Sequence, residues 1–179
     1  LDHPLRPDSS YAISKTGGEQ YIEMSGLDFV SMRLANAYGP RNLSGPLPTF
    51  FHRLTEGRKC FVADTRRDFV FADDVVDVFE MALDGAGHGY YHLSSGTDEA
   101  IKDVFDAAVD ALGIVLDEPV EVRPRGEDDA FTILLDPSRI QAEFGWTPKT
   151  NLRDGVASAI EWYRENGVTQ TYTHLKISE

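Results

Sequence analysis

Helical and strand patterns alternate along this 179-residue chain, and this alternation restricts the possible folds more than any other feature of the sequence. Capping residues and prolines precede amphipathic stretches, and short apolar runs fill the intervals between them. Alternation of this kind is typical of α/β proteins with parallel strands, although it leaves the strand order open. The patterns predict helices near 9–25, 48–56, 73–84, 100–112, 137–143 and 152–165, and strands near 28–34, 60–63, 67–71, 89–94, 118–123 and 131–135. The tail from Val168 onward has no clear apolar period and is expected to be loosely held.

The first predicted helix carries a tyrosine and a lysine one turn apart, Tyr11 and Lys15. Side chains at positions i and i+4 share a helix face, and a nearby cation favours a phenolate over a phenol. The pair can therefore move a proton to or from a hydroxyl group, and the positive charge of a nicotinamide would assist it. A chance pair on the protein surface is the competing interpretation of these two residues.

The segments that flank this pair place it in a defined local structure. Ser9 and Ser10 supply capping residues before Tyr11, and Gly26 follows the last periodic position as a C-terminal cap. A largely apolar strand comes next and runs into the turn Asn36-Ala37-Tyr38-Gly39-Pro40-Arg41. The sequence therefore predicts a helix, a strand and a glycine-proline loop in that order.

This order resembles the NAD-dependent nucleotide-sugar epimerases and dehydratases, a family of extended short-chain dehydrogenases that includes UDP-glucose 4-epimerase. Matches in the same order across nearly the whole chain are more specific than any single motif. The Ser-Ser-Tyr-Ala-Ile-Ser-Lys segment and the Gly-Pro-Leu-Pro-Thr-Phe loop are most similar to epimerases of bacterial surface-polysaccharide pathways. The other matching segments are Arg-Leu-x-Asn-x-Tyr-Gly-Pro at 33–40, Arg-Asp-Phe at 67–69, Tyr-His-Leu at 91–93, Gly-Trp-Thr-Pro at 145–148, and a last helix with Gly155, Ile160, Trp162 and Tyr163.

The glycine-rich turn with which this family holds the pyrophosphate of NAD does not occur in the sequence. The family's catalytic Ser or Thr also lies farther upstream of the tyrosine than the ten residues present here. We therefore interpret the chain as about the C-terminal half of an enzyme. The resemblance implies the C-terminal part of a Rossmann-like NAD-binding fold plus the smaller α/β substrate-binding domain. Residues 1–40 are then a remnant of the dinucleotide-binding domain, and residues 41–179 are mainly the substrate-binding region, with 60–96 contributing elements back to the Rossmann core.

The resemblance also implies roles for individual residues near the cofactor. Tyr11 corresponds to the acid or base at the sugar hydroxyl, and Lys15 favours its phenolate and binds the nicotinamide ribose. Leu34, at the end of the following strand, corresponds to a position near the nicotinamide, and an ordinary core position is the alternative. Because the glycine turn is missing, weak or absent NAD binding is expected for this chain alone.

Further residues correspond to the family's contacts with the nucleotide diphosphate. Asn36 is expected to contact the diphosphate, with an Asx turn as the alternative. Arg67 corresponds to an arginine that binds the nucleotide phosphate in this family. The alternative interpretation is a paired surface charge. Leu47 and Pro48 open the helix beside the nucleotide, although Gly45-Pro46 replaces the family's usual asparagine before them.

Two contacts rest on weaker similarity. The strand that contains Phe61 is expected to line the base, and a core position is equally compatible with an aromatic residue there. Arg125 lies in Arg-Pro-Arg-Gly-Glu-Asp-Asp, which departs from the family's Arg-x-Gly-Asp spacing. The resemblance nevertheless implies that Arg125 is a candidate for substrate binding.

The reaction implied by the resemblance begins when Tyr11 removes a proton from a sugar hydroxyl while hydride passes to NAD, which gives a transient keto sugar. Epimerases return the hydride to the other face, and dehydratases first eliminate water with an upstream acid–base pair. The expected activity is therefore epimerisation or dehydration of a nucleotide-diphosphate sugar, in a homodimer through the Tyr11/Lys15 helix. The competing hypothesis is a non-catalytic module that binds a nucleotide or a partner, in which residues such as Ile13, Tyr21 and Met24 form an interface.

Composition restricts the other functional classes. A net charge of −13 argues against a nucleic-acid partner, because phosphate-backbone binding needs a basic face. No apolar run is long enough to span a membrane, and we expect a cytoplasmic protein. The single cysteine, Cys60, cannot form an internal disulfide, and its surroundings resemble a strand rather than a nucleophile site. The five histidines show no spacing typical of metal ligands, so no metal is predicted.

Overall fold

The computed structural model describes residues 1, 4–126, 129–168 and 171. Helices and strands alternate within them, and none of the helices is long and apolar enough to cross a lipid bilayer. The helices are α1 (Ser10–Met24), α2 (Pro46–Thr55), α3 (Ala72–Leu83), α4 (Ile101–Leu112), α5 (Ser138–Phe144) and α6 (Leu152–Asn166). The strands are β1 (Val30–Leu34), β2 (Asn36–Tyr38), β3 (Phe61–Ala63), β4 (Arg66–Arg67), β5 (Phe69–Phe71), β6 (Gly89–Leu93), β7 (Glu99–Ala100), β8 (Glu121–Arg123) and β9 (Thr132–Ile133).

The strands pair mainly in parallel. β1 pairs with β6, β2 with β5, and β3 with β8, each in parallel, whereas β4 lies between parallel β9 and antiparallel β7. Helices connect the parallel partners, as parallel pairing requires. The α/β class predicted from the alternating pattern is therefore confirmed.

The longest of these pairings joins the two parts of the proposed domain division. In it, Val30 lies opposite Gly89 and Leu34 opposite Leu93. The pairing therefore brings β6, from the 60–96 segment, beside β1, from the first forty residues. The division of the chain into 1–40 and 41–179 stays a prediction.

The predicted strands differ from the structure at five places. Residues 36–38 form β2, where the sequence predicts a turn, because the Asn36 N–H donates to the Asp68 carbonyl. The predicted strand 67–71 is divided into β4 and β5 at the buried Asp68. The sequence pattern gives no indication of β7, and the predicted strands 118–123 and 131–135 are shorter than expected. These strands depend on distant partners, and the local pattern contains no information about them.

Two apolar clusters form the core. The first joins α2, α4 and α6, where Phe50 packs edge-on against Phe105 with their ring centroids 5.2 Å apart. The second packs α3 and α5 against the β1–β6 pair around Tyr91 and Ile140. Val168 is buried in the first cluster, so the prediction of a loosely held tail from this residue onward is wrong for Val168. Most of the remaining tail lies outside the described residues.

Helix α1 contributes no buried residue to either cluster. Its contact with the rest of the chain is polar: the Arg33 Nε and Nη2 atoms donate to the two carboxylate oxygens of Glu19 at 2.9 and 2.7 Å. The Tyr90 hydroxyl adds a longer contact to the Glu19 carbonyl at 3.3 Å. Gly26 follows the helix with a φ of 68°, which agrees with its predicted position after the C-terminal turn.

Candidate functional site

A cleft of about 800 Å³ opens beside the first core cluster, between α2, α4 and strands β2 to β5. Five residues that the sequence analysis assigned to substrate binding line this cleft: Asn36, Leu47, Pro48, Phe61 and Arg67. They come from four different elements. The fold therefore brings together side chains that are separated by as many as 31 positions in the sequence.

The N-terminal end of α2 forms one wall of the cleft. Leu47 and Pro48 lie there, and both are buried. The first turn of the helix has no side-chain cap and no acidic residue. Because proline has no N–H, the Leu47 N–H is the donor left at the start of the helix, and the end of the helix is positive. This end of the cleft therefore favours a negatively charged group.

Asn36 lies at the start of β2 and is held by the neighbouring strand. Its Nδ2 donates to the Asp68 carbonyl at 3.1 Å, and among the described residues no backbone N–H donates to its Oδ1, as an Asx turn would require. The buried Asp68 carboxylate accepts hydrogen bonds from the N–H groups of Ser95 and Gly96 at 2.9 and 3.2 Å. These contacts fix the position of Asn36 in the cleft.

Arg67 lines the cleft, and its positive charge is already paired with a carboxylate. Its side chain is only 14% exposed, and its Nη2 donates to an oxygen of the Asp129 carboxylate at 2.5 Å. Its Nη1 also donates to the Ala130 carbonyl at 3.0 Å. A phosphate that bound Arg67 would have to compete with Asp129.

Phe61 and Arg125 differ in their relation to the cleft. The Phe61 ring lines it, and the Arg123 guanidinium lies 3.8 Å from the centroid of that ring. Arg125 is not among the lining residues, and its Nη1 donates to the Asp129 carbonyl at 2.5 Å. Its neighbour Gly126 does line the cleft. The substrate-binding role of Arg125 stays a prediction.

The rear of the cleft depends on α6. The hydroxyl of Tyr163 donates to the Asn42 carbonyl at 2.6 Å and so holds the loop that leads into α2. Tyr38 packs against Gly155, where an added Cβ would lie 2.3 Å from the Tyr38 hydroxyl oxygen. Burial raises the pKa of both phenols well above the usual range for tyrosine, so both stay neutral. Neither tyrosine is therefore suited to act as a base.

Tyr11 and Lys15 lie on α1 and do not line the cleft. Tyr11 is 70% exposed, and the Lys15 Nζ lies 5.4 Å from the centroid of its ring. The two side chains thus share a helix face, as their spacing predicted. Among the described residues, the Tyr11 hydroxyl and the Lys15 ammonium make no hydrogen bond or ion pair. Both groups are available to an external ligand.

Leu34 lies between these two regions. It ends β1 opposite Leu93, is partly exposed, and directly precedes Ala35 and Asn36, which line the cleft. The carboxyl ends of parallel strands are the usual place for ligands in α/β folds. This location is compatible with the predicted contact to a nicotinamide.

The lining residues that were not assigned from the sequence include Arg53, Cys60 and Asp129. The sequence could have indicated that Arg53 lines the cleft, because Pro46, Phe50 and Arg53 have the i, i+4, i+7 spacing of one helix face. Burial raises the pKa of the Cys60 thiol, which agrees with the expectation that it is not a nucleophile. Within the described part of the chain, no three His, Cys, Asp or Glu residues are grouped so that they could hold a metal ion.

Solved structures with the same fold include two enzymes of Bordetella bronchiseptica. WbmH, in complex with NAD+, is 56% identical in sequence and superposes with a TM-score of 0.88, over 94% of this chain and 56% of its own. WbmG, in complex with NAD and UDP, is 43% identical with a TM-score of 0.89, over 98% of this chain and 57% of its own. NAD is the cofactor of the family to which these neighbours belong.

Sequence relatives lead to the same family. A UDP-glucose 4-epimerase of Mycolicibacterium smegmatis is 35% identical over 91% of this chain, and a dTDP-glucose 4,6-dehydratase of an Actinoplanes species is 34% identical over 92%. The chain spans about half the length of these relatives, 55% and 54%. The model of the GDP-mannose 4,6-dehydratase family matches residues 2–159. The resemblance is thus confirmed, and the chain belongs to the nucleotide-sugar epimerases and dehydratases of the extended short-chain dehydrogenase family.

Proposed function

We propose that this chain supplies the proton-transfer pair and the nucleotide-binding cleft of an NAD-dependent epimerase that acts on a nucleotide-diphosphate sugar. The observation that carries the proposal is the cleft itself, since it gathers Asn36, Leu47, Pro48, Phe61 and Arg67 around one space. An aromatic ring, a positive helix end and an arginine suit a base and a diphosphate. UDP in the solved WbmG structure supports this class of ligand.

In the proposed reaction, Tyr11 accepts a proton from a sugar hydroxyl and later returns it. Its hydroxyl is free to do so, and the ammonium of Lys15 lies on the same face of the helix. NAD, when bound, supplies the hydride acceptor and donor for the same carbon atom. Lys15 and Leu34 are the residues of this chain that would contact its nicotinamide end. Both side chains are exposed, and Leu34 ends β1.

The catalytic assignment is tested by Tyr11→Phe in the full-length protein. Turnover of the nucleotide-diphosphate sugar should fall by about 100-fold or more, because general acid–base groups contribute at least that factor. UDP binding by calorimetry should be unchanged, since Tyr11 does not line the cleft. The matched control is Tyr21→Phe, which removes another exposed hydroxyl from the same helix. Equal turnover of the Tyr11 variant and wild type would remove Tyr11 from the mechanism.

Dehydration is the second candidate reaction, because a dTDP-glucose 4,6-dehydratase is almost as similar to the chain as the epimerase. The two reactions differ in product. Proton NMR of the sugar distinguishes an inverted hydroxyl-bearing carbon from a 4-keto-6-deoxy sugar. Accumulation of the keto sugar as the final product would replace epimerase with dehydratase in the proposal.

We further propose a cytoplasmic homodimer, with a role in bacterial polysaccharide synthesis and with α1 at its interface. The exposed Ile13, Tyr21 and Met24 side chains on α1 support an interface there. Size-exclusion chromatography with light scattering of the full-length protein tests the assembly. Charged substitutions, such as Met24→Glu, should shift the dimer toward the monomer. An unshifted dimer would place the interface elsewhere.

A further inference from the structure

The two arginines in the cleft differ in what already binds them. Arg67 is paired with Asp129, as described above. Arg53, from the last turn of α2, forms no ion pair with any carboxylate among the described residues. Its positive charge is therefore available within the cleft.

The contacts of Arg53 hold its guanidinium in place without using all of its donors. The Nε and Nη2 atoms both donate to one acceptor, the Lys59 carbonyl, at 2.9 and 2.7 Å. A guanidinium has five N–H donors in a rigid planar fork. The guanidinium also forms a hydrogen bond with the Cys60 side chain. Its remaining donors are left to bind a ligand, and the Lys59 contact restricts their direction.

Its position along the cleft indicates which part of a ligand Arg53 meets. A helix rises about 1.5 Å per residue, so Arg53 lies roughly 9 Å along α2 from Leu47 and the positive helix end. It lies instead beside Cys60, where it partly offsets the increase in the pKa of the thiol that burial causes. Phe61 follows directly in the sequence and also lines the cleft. Arg53 is thus at the end of the cleft that suits a base.

We infer that Arg53 is a specificity-determining residue that donates hydrogen bonds to a carbonyl oxygen of the nucleobase. The inference rests on the proposed function, because it takes the ligand to be a nucleoside diphosphate. The position concerned is C4 of a pyrimidine or C6 of a purine. There the guanidinium, which only donates, pairs with the carbonyl oxygen of uracil, thymine or guanine and opposes the amino group of cytosine or adenine. Arg53 therefore favours bases with a carbonyl at that position and disfavours adenine and cytosine.

The test compares nucleoside diphosphates on the full-length protein. Isothermal titration calorimetry with UDP, TDP, GDP, CDP and ADP should show that the tightest of the first three binds at least about tenfold more tightly than ADP or CDP. Arg53→Met keeps the length and packing of the side chain but removes its donors. This variant should lower the affinity for the preferred nucleotide about tenfold and leave the affinity for ADP nearly unchanged, so that the preference is lost.

Other results of these titrations would contradict either the role of Arg53 or the proposed function. An equal loss for all nucleotides would assign Arg53 to the phosphates or to folding, and unchanged affinities would remove it from the site. Both results overturn the inference. Wild-type protein that binds no nucleoside diphosphate would overturn the proposed function itself. Arg53→Lys, which keeps a donor but not the fork, should show intermediate selectivity, and thermal unfolding of each variant detects any loss of fold.

Discussion

Helices α1 and α6 have the same length, 15 residues, and each has glycine in its interior, yet the chain uses them in opposite ways. Gly155 on α6 lies so close to Tyr38 that a methyl group would not fit, and Ala159 and Ile160 beside it are fully buried. A methyl group added at Gly17 or Gly18 on α1 would have nothing within 4 Å of it, and α1 buries no residue. Glycine is thus a packing requirement in α6 and only weakens the helix in α1.

This difference separates binding from proton transfer. The cleft is supported by α6 and the first core cluster, so we expect the proposed nucleotide-binding part to be the more stable of the two. The helix that carries Tyr11 and Lys15 is held by the Arg33–Glu19 pair and by little apolar contact. We therefore expect the helix of the proton-transfer pair to be held less firmly than the cleft.

Hydrogen exchange gives the largest expected contrast. Amides of α6 around Ile160 should exchange only on global unfolding, because they are buried in the core. Amides of α1 should open locally and exchange on the order of 100-fold faster or more. The measurement is deuterium uptake of this chain, followed by mass spectrometry or NMR. Equal protection of the two helices would contradict the expected difference in their local stability.

Gly155→Ala tests the packed side of the comparison. The new methyl group would lie 2.3 Å from the Tyr38 hydroxyl oxygen and 2.8 Å from Phe71 Cδ2, so either α6 or these buried rings must shift. We expect a loss of about 1 to 3 kcal/mol in the free energy of unfolding, measured with urea. Gly17→Ala is the matched control, and it should stabilise α1 by about 0.5 to 1 kcal/mol. A stable Gly155 variant would mean that α6 tolerates displacement.

Glu19→Gln tests the polar contact that holds α1. Loss of the negative charge weakens the fork to Arg33, whose side chain is one-quarter exposed, so the expected cost is about 1 kcal/mol or less. Exchange in α1 should become faster while the melting temperature of the chain changes little. Glu165→Gln on the exposed face of α6 is the control. A drop in global stability would show that α1 is coupled to the core after all.

Labelling of Cys60 gives the smallest effect and tests whether a nucleotide acts on one region only. Cys60 is the single cysteine of the chain and lines the cleft. Bound UDP should slow its reaction with a maleimide several-fold, read by peptide mass spectrometry. Exchange in α1 should stay the same. A ligand effect on α1 alone would contradict the location of the proposed site.

The helices and five of the residues that line the cleft could be predicted from the sequence because they depend on local spacing or on motifs. The Tyr11–Lys15 face and the α2 residues are examples. Strand β2 could not be predicted, because Asn36 pairs with Asp68, 32 positions away, and the local residues favour a turn. The same holds for the pairing of Arg67 with Asp129, which are 62 positions apart. Contacts of this kind are set by the packing of elements, and no local pattern encodes them.

The Arg67–Asp129 pair has a consequence for the response of the cleft to salt. A phosphate that reaches Arg67 replaces the Asp129 carboxylate, so this arginine has one anionic partner before binding and one after it. Exposed charges that newly meet on binding lose attraction as ionic strength rises. Replacement of one anion by another involves little such change. The contribution of Arg67 to nucleotide affinity should therefore be nearly independent of ionic strength, and the salt dependence of binding would come from the other positive groups of the cleft.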